Sequence, residues 1–436
     1  MPAPASGTHP SRQSISDLLT EARARTLLLI SGLSDEDLHL QHDPLMSPII
    51  WDVGHIAHFE ELWLTRNLSG DIEFSEMPGL YNPFEHPRAE RAALPMPTLA
   101  EMLARLTEIR VRVLDQLDTL EWDDRNPLLQ GGYVYQMVLQ HEYQHNETIL
   151  QTLQLKTGAP YAAPRSVYFP APSALAPDMV HFDGGRVEVG TDDTSAAYDN
   201  ERPRHRVGLR PFLIDRTAVT NGRYLEFMDD GGYRREELWS QAGWKWLVES
   251  GSIAPKYWRQ DGSTWTNRVM DLIRPVDPFR PVSHVCYYEA EAFARWDNKR
   301  LPTEVEWEAA ASWDPKNSTA RVFPWGDDAP AGQANVDQLA FDTAPVGAHE
   351  HNVSPAGCHG MIGDVWEWTS SDFSGYPGFR SFPYKEYSEE FFGSDYKVLR
   401  GGSWATRSGA IRNTFRNWDY PIRRQIFSGF RCARDA

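Results

Sequence analysis

Four segments in the first third of the chain carry apolar residues at helical spacing, and this pattern constrains the fold most. Apolar side chains recur every three or four positions, as in an amphipathic α-helix. The last segment ends at Gly158, with Pro160 just beyond. The four start signals are Ser14, Ser47-Pro48, a capping box at residues 98–101 and the pair Gly131-Gly132. Because one long connection separates the second and third segments, residues 14–160 are predicted to form an all-α four-helix bundle.

Beyond the bundle the sequence changes character. Residues 161–177 are rich in proline, alanine and serine and are predicted to be a linker, while residues 1–13 are predicted to be a flexible tail. From 178 to 436, short β-like runs alternate with clusters of glycine, aspartate, asparagine and proline, and the clearest helix candidate begins at a capping box at residues 303–306. This pattern predicts a loop-rich α+β domain, so the chain is multidomain.

Charge and hydropathy argue against two classes of partner. The chain has 43 Lys and Arg against 61 Asp and Glu, a formal net charge of −18, whereas binding to a phosphate backbone needs a basic face. We therefore expect no nucleic acid. No run of 18 apolar residues exists, so no membrane span is predicted, and the first residues lack the apolar core of a signal peptide. Three scattered cysteines suit neither a disulfide framework nor a thiolate metal site, so a cytoplasmic protein is predicted.

A pair of histidines in the fourth helix is the sharpest local signal. His141 and His145 are four residues apart, so they lie one turn from each other on one helix face and can meet one metal ion. His55, in the second helix, is the candidate third ligand, whereas His58 is three residues on and points elsewhere. Nitrogen ligands alone fit zinc, iron or copper. Two readings stay open beside this one: surface histidines with a core His55, and a zinc hydrolase in which Glu142 is the general base of an H-E-x-x-H motif.

Seven motifs stand out in the second half, at residues 199–203, 219–221, 300–308, 323–327, 363–368, 399–404 and 429–432. Together they resemble the motifs of the formylglycine-generating-enzyme superfamily, whose fold is related to C-type lectins. The resemblance spans roughly residues 178 to 436. Enzymes that make formylglycine use a cysteine pair shortly after the G-G-S-W stretch, but residues 405–418 contain no cysteine, which argues against that chemistry.

The first half resembles a DinB-type bundle, in which a distant histidine joins an H-x-x-x-H-x-E motif. Fused to the second half, it resembles the ergothioneine-biosynthesis sulfoxide synthases, the EgtB family, over nearly the whole chain. The resemblance implies a non-haem Fe(II) held by His55, His141 and His145, with Glu147 orienting a ligand histidine. It also implies that O2 is used to join hercynine (Nα-trimethylhistidine) to γ-glutamylcysteine as a sulfoxide. Free cysteine as the thiol donor is the alternative.

The resemblance also implies roles for eight further residues. Tyr384 would give a proton or hydrogen atom to the reacting oxygen. A cationic trimethylammonium group is recognised by charge and aromatic faces, and guanidinium groups suit carboxylates. The implied hercynine contacts are Gln144, Asn417, Trp418 and Asp419, and the implied thiol-substrate contacts are Arg88, Arg91 and Arg423.

A non-catalytic binding module on a metal-stabilised bundle is the alternative from a different class. The two hypotheses differ in one geometric expectation. An enzyme must bring Tyr384, Trp418 and Asp419 from the second half to the histidines of the first half. A scaffold would leave these residues far apart.

Overall fold

The computed structural model describes residues 9–69, 79–167, 169 and 178–436. Residues 1–8 of the predicted tail, and residue 168 and residues 170–177 of the predicted linker, lie outside this part. The first helix begins at Arg12, and His9 before it stacks on Trp122 with ring centroids 4.5 Å apart. Tyr161 is buried, and the Ser166 amide donates to the carbonyl of Leu339, so the first residues of the predicted linker pack on the protein.

The four predicted helices are present, together with one short helix that the sequence analysis did not predict. In chain order the helices of the first half are α1 (Arg12–Ile30), the short α2 (Asp35–His39), α3 (Ile49–Glu61), α4 (Leu99–Thr119) and α5 (Tyr133–Leu155). A π-helical turn, Leu62–Arg66, continues α3.

Two of the predicted helix starts are wrong in detail, and two are confirmed. Ser11 rather than Ser14 caps α1, because its hydroxyl accepts from the Ser14 amide. Pro48 occupies the cap position of α3, and the hydroxyl of Ser47 instead accepts a hydrogen bond from Arg91. The capping box at the start of α4 and the start of α5 after the two glycines are as predicted.

Helix α3 lies at the centre of the bundle, where every one of its residues is buried. It packs against α4 and α5, and α5 packs in turn against α1. Because its neighbours cover it on all sides, α3 has no face exposed to solvent. Polar side chains on α3 therefore face a protein interior and need partners there.

The second half is built from small sheets. The strands are β1 (Met179–Phe182), β2 (Gly185–Val189), β3 (His205–Leu209), β4 (Phe212–Asp215), β5 (Trp258–Asp261), β6 (Thr264–Val269), β7 (Leu272–Pro275), β8 (Trp313–Asp314), β9 (Thr319–Ala320), β10 (Trp366–Phe373), β11 (Gly393–Arg400), β12 (Arg416–Asp419), β13 (Ser428–Gly429) and β14 (Ala433–Asp435). Strands β10 and β11 form the centre of a four-stranded sheet in the order β12-β11-β10-β13, with β13 parallel to β10 and the other pairs antiparallel. The other sheets are β1-β4-β14, β2-β3, β5-β6-β7 and β8-β9.

The second half contains more helix than its sequence pattern suggested. The capping box at residues 303–306 begins a helix as predicted, but three further helices are short and pack their aromatic side chains inward, so their periodicity is brief. The helices are α6 (Asn221–Asp229), α7 (Gln241–Ser250), α8 (Tyr287–Trp296) and α9 (Glu304–Ser312).

Helix α5 joins the two halves through buried polar contacts. The Glu147 carboxylate accepts hydrogen bonds from Trp366 Nε1, Ser403 Oγ and Thr406 Oγ1 at 2.7, 2.8 and 2.7 Å. Two turns beyond, Gln154 Oε1 accepts from the Met270 amide. Residues of both halves also share one continuous apolar core. Within the described ranges, no helix is long and apolar enough to cross a bilayer.

Candidate metal centre

Three histidines from two helices converge at the centre of the bundle. His55 on α3 meets His141 and His145 on α5, and their nearest ring nitrogens all lie within 4.8 Å of one another. The Nε2 atoms of His55 and His141 are 3.2 Å apart. Among the described residues this is the sole cluster of three or more His, Cys, Asp or Glu side chains close enough to hold a metal ion. The predicted ligand set is thus brought together in space.

Neighbouring groups orient these rings. His55 Nδ1 lies 2.9 Å from the carbonyl oxygen of Tyr81, an acceptor that requires a proton on Nδ1 and leaves the Nε2 lone pair free. His145 Nδ1 lies 3.1 Å from Asp52 Oδ1, and the ring of His141 stacks on Phe59 at 3.7 Å. Burial, followed by the charge of His145, lowers the pKa of His55 and of His141. Imidazoles with converging nitrogens fit a transition-metal ion of borderline softness.

Glu147 does not orient a ligand histidine, contrary to the sequence-based expectation. Its carboxylate is taken up by the three donors of the second half described above. Asp52 has that position instead, three residues before His55 and therefore on an adjacent part of the α3 surface. A buried aspartate one helical turn from a candidate ligand is the sequence signal that could have revealed it.

The arrangement of Glu142 contradicts the zinc-hydrolase reading. Its carboxylate is buried against α1, where Oε1 accepts from Arg23 Nε at 2.9 Å and from Thr26 Oγ1 at 2.7 Å. A general base must face the metal and its water, whereas this carboxylate is held by a guanidinium group elsewhere in the bundle. His58 also stands apart from the three-histidine group, as expected from its spacing.

A cavity of about 720 Å³ opens beside the histidines, between the two halves of the chain. Its walls come from α3, α5, residues 82–91, the segment around Tyr384 and strand β12 with the turn after it. All eleven predicted site residues line this cavity: His55, Arg88, Arg91, His141, Gln144, His145, Tyr384, Asn417, Trp418, Asp419 and Arg423. This convergence is the geometry expected of an enzyme and absent from a scaffold.

Tyr384 stands on the wall of the cavity beside the bundle. Its ring stacks on Trp63 at 5.5 Å and lies edge-on to Phe59 at 6.3 Å, and Phe59 in turn stacks on His141. Burial raises the pKa of Tyr384 well above its ordinary value, so the hydroxyl keeps its proton. The hydroxyl of the nearby Tyr387 accepts a hydrogen bond from Gln144 at 3.1 Å.

Strand β12 forms an aromatic and acidic wall. The ring of Trp418 lies flat on Phe373 at 4.0 Å, and Tyr387 and Phe391 stand around it at 6.0 and 5.6 Å. Burial raises the pKa of Asp419, while the charges of Arg423 and Arg88 act in the opposite direction. The wall therefore places aromatic faces beside a carboxylate.

The three predicted arginines are engaged to different degrees. Arg91 is buried, with its guanidinium 3.6 Å above the Trp51 ring and hydrogen bonds to His86, Pro83 and Ser47. Arg88 is exposed and donates to the Leu45 carbonyl at 3.3 Å. Arg423 Nε lies 3.4 Å from Asp419 Oδ1, but Nε and Nη1 lack a hydrogen-bond partner among the described residues. Arg88 and Arg423 thus have more capacity for a ligand than Arg91.

Comparison with known proteins divides the chain in the same way as the structure. A model of the DinB superfamily matches residues 18–149, and a model of the sulfatase-modifying factor enzyme 1-like domain matches residues 164–436. These matches confirm the predicted order of an all-α DinB-like bundle and an α+β domain of the formylglycine-generating-enzyme type.

Three curated relatives, each named hercynine oxygenase, match nearly end to end. The protein of Mycolicibacterium thermoresistibile is 44% identical over 441 residues, 98% of this chain and 96% of its own length. Those of Mycolicibacterium smegmatis and Mycobacterium tuberculosis are each 44% identical, over 98% and 96% of this chain and 99% and 97% of their own lengths. With both domains and the full length shared, the chain belongs to the hercynine oxygenase (EgtB) family.

Proposed function

We propose that the protein is an O2-dependent sulfoxide synthase that joins hercynine to γ-glutamylcysteine by an oxidative C–S bond, as in ergothioneine biosynthesis. The observation that carries the proposal is the convergence of residues from both halves on one cavity beside the three histidines. The names of the full-length relatives support hercynine and oxygen as the substrates. Free cysteine is the alternative thiol donor.

His55, His141 and His145 would hold a mononuclear Fe(II) through three neutral imidazoles. Iron bound there would supply the electrons that O2 needs to react, and coordination positions for both substrates. The protein contributes the rest of the arrangement. Asp52 holds the ring of His145, the Tyr81 carbonyl holds that of His55, and Phe59 supports His141.

The β12 wall suits a trimethylammonium group. Such a cation donates no strong hydrogen bond, so it is held by charge and by aromatic faces. Trp418 and Tyr387 supply the faces, and Asp419 supplies the charge. Gln144, one residue before His145, lines the same cavity and would contact the same substrate.

Arg88 and Arg423 suit a substrate that carries carboxylates. γ-Glutamylcysteine has two carboxylates and cysteine has one, so a second cation favours the dipeptide. In a chain of net charge −18, an anionic ligand needs such local positive charge. Both guanidinium groups lie at the cavity, one from each half of the protein.

Tyr384 would hold a proton on its hydroxyl until the reacting oxygen needs it. Its raised pKa keeps it a donor at neutral pH, and its ring is fixed between Trp63 and the edge of Phe59.

The test is anaerobic reconstitution with Fe(II), followed by O2 uptake with hercynine and either thiol, with products identified by mass. The sulfoxide conjugate of γ-glutamylcysteine is the expected product. His55→Ala should lose both iron and turnover, whereas His181→Ala, at an exposed histidine of β1, should keep both. Tyr384→Phe should bind substrates but make little sulfoxide. Full iron occupancy in His55→Ala, or an unchanged sulfoxide yield from Tyr384→Phe, would refute the assignment.

A further inference from the structure

The segment that carries Tyr384 is closed at both ends by one carboxylate. Asp199 Oδ2 accepts a hydrogen bond from the Phe382 amide at 3.2 Å, and Asp199 Oδ1 accepts one from Ser388 Oγ at 2.5 Å. Tyr384 lies between these two points. Asp199 itself belongs to a short 3₁₀ turn, Asp199–Glu201, and is 1% exposed.

The same turn also contacts the first residue of the β12 wall. Asn200 Nδ2 donates to Ser388 Oγ at 3.0 Å, and the Asn200 carbonyl accepts from Arg416 Nη1 at 2.7 Å. Arg416 is the first residue of β12, directly before Asn417. Just ahead of the turn, Tyr198 stacks on Tyr387 at 4.4 Å. The turn therefore contacts both the Tyr384 segment and the β12 wall, and so connects the position of one to the position of the other.

We propose that Asp199 is a positioning residue, whose carboxylate closes the segment of residues 382–388 and thereby fixes Tyr384 at the cavity. The proposal rests on the proposed function, because the position of Tyr384 matters for the reaction only if Tyr384 is the proton donor. Asp199 lies outside the cavity lining and reaches the reaction through the segment it holds.

A carboxylate can hold the two ends of a loop together, because each of its two oxygens can accept a hydrogen bond. The hydrogen bonds to Asp199 join the two ends of the segment, whereas the backbone hydrogen bonds at its far end, from the Ser388 amide to the Lys385 carbonyl and from the Phe391 amide to the Ser388 carbonyl, are local. Burial raises the pKa of Asp199 to about 6, against the smaller effects of its hydrogen bonds and of Arg202. Keeping an ionised carboxylate at this buried position costs folding free energy. A carboxylate buried at such a cost is expected to have a specific role in its surroundings.

The first measurement is hydrogen exchange of the metal-free protein, which needs no activity. In Asp199→Ala, amides of residues 382–391 should exchange faster by roughly tenfold or more, while those of α5 keep their rate. Ser388→Ala should show a smaller increase, since the Phe382 bond remains. Asp199→Asn should stay near the parent, because an amide can accept from Phe382 and donate to Ser388 Oγ. If Asp199→Ala fails to fold, the comparison of Ser388→Ala with Asp199→Asn provides the test.

The second measurement is turnover with Fe(II), hercynine and the thiol. Displacing the proton donor should lower kcat on the order of 100-fold in Asp199→Ala, with KM for hercynine changed less than about threefold, and Asp199→Asn should restore most of it. Unchanged exchange at 382–391, or faster exchange with full kcat, would overturn the proposal. If Tyr384→Phe proves fully active, the proposed function fails, while the exchange result for Asp199 still reports whether the carboxylate closes the segment.

Discussion

Replacing Glu147 tests how the two halves of the protein are held together. Its carboxylate lies on α5, two residues after His145, and accepts hydrogen bonds from three donors of the second half. We expect Glu147→Ala to lower stability strongly, and Glu147→Gln to lower it only slightly. The two variants remove the same charge, so their difference reports the hydrogen bonds together with the packing of the side chain.

The magnitude follows from what each donor can do afterwards. In Glu147→Ala the indole N–H of Trp366 is left buried and cannot turn to another acceptor, whereas the hydroxyls of Ser403 and Thr406 can rotate. An unsatisfied buried donor costs about 1–3 kcal/mol, so with the lost packing we expect about 3–5 kcal/mol for Ala. In Glu147→Gln one oxygen still accepts from Trp366 and Ser403, and the amide can donate to Thr406 Oγ1, so about 1 kcal/mol is expected.

Thermal unfolding of the metal-free protein measures this difference. For a chain of 436 residues, 1 kcal/mol lowers Tm by about 1 °C, so Glu147→Ala should melt about 3–5 °C lower, in a single transition because the halves share one core. Thr148→Ala is the control, since the hydroxyl of Thr148 donates to the Gln144 carbonyl in the same helix. Equal Tm values for the Ala and Gln variants would refute the reasoning, because they would show that the three hydrogen bonds contribute nothing.

Three further predictions concern the metal, the thiol and the pH. Asp52→Ala should weaken the binding of Co(II) or Fe(II) by about 10–100-fold in calorimetry, because His145 loses the carboxylate at Nδ1, with Asp52→Asn intermediate; unchanged affinity would contradict this. Arg88→Ala should raise KM for γ-glutamylcysteine about tenfold, since one charged hydrogen-bond donor is lost, and an equal rise for cysteine would remove Arg88 from donor choice. The pKa of Asp199 rises from 3.8 to about 6, so the folded state disfavours its ionised form above pH 6, a cost of about 3 kcal/mol that disappears as the pH falls below 4. Asp199→Asn should therefore gain Tm relative to the parent at pH 7.5 and lose about two thirds of that gain at pH 4.5, whereas a pH-independent difference would contradict the shift.

Local sequence signals were enough to predict the starts of α4 and α5 and the pair of histidines on α5. The capping box of α4, the glycine pair before α5 and the spacing of His141 and His145 act over a few residues, so they are visible without the fold. The roles of Tyr384 and of the β12 residues came from the family resemblance instead. A chain with 17 tyrosines contains no local pattern that marks one of them.

The tertiary structure decided which partners these residues meet. The sequence determined that Glu147 lies on the helix of the two histidines, but only the packing of α5 against the second half brought its carboxylate to Trp366. The packing of α5 against α3 made Asp52 the partner of His145. Likewise, nothing near Asp199 in the sequence points to Phe382 or Ser388, more than 180 positions away. Helical periodicity specifies the face on which a side chain lies. The partner of a buried polar group depends on which distant segment supplies the matching donor, and that is settled only when those segments pack together.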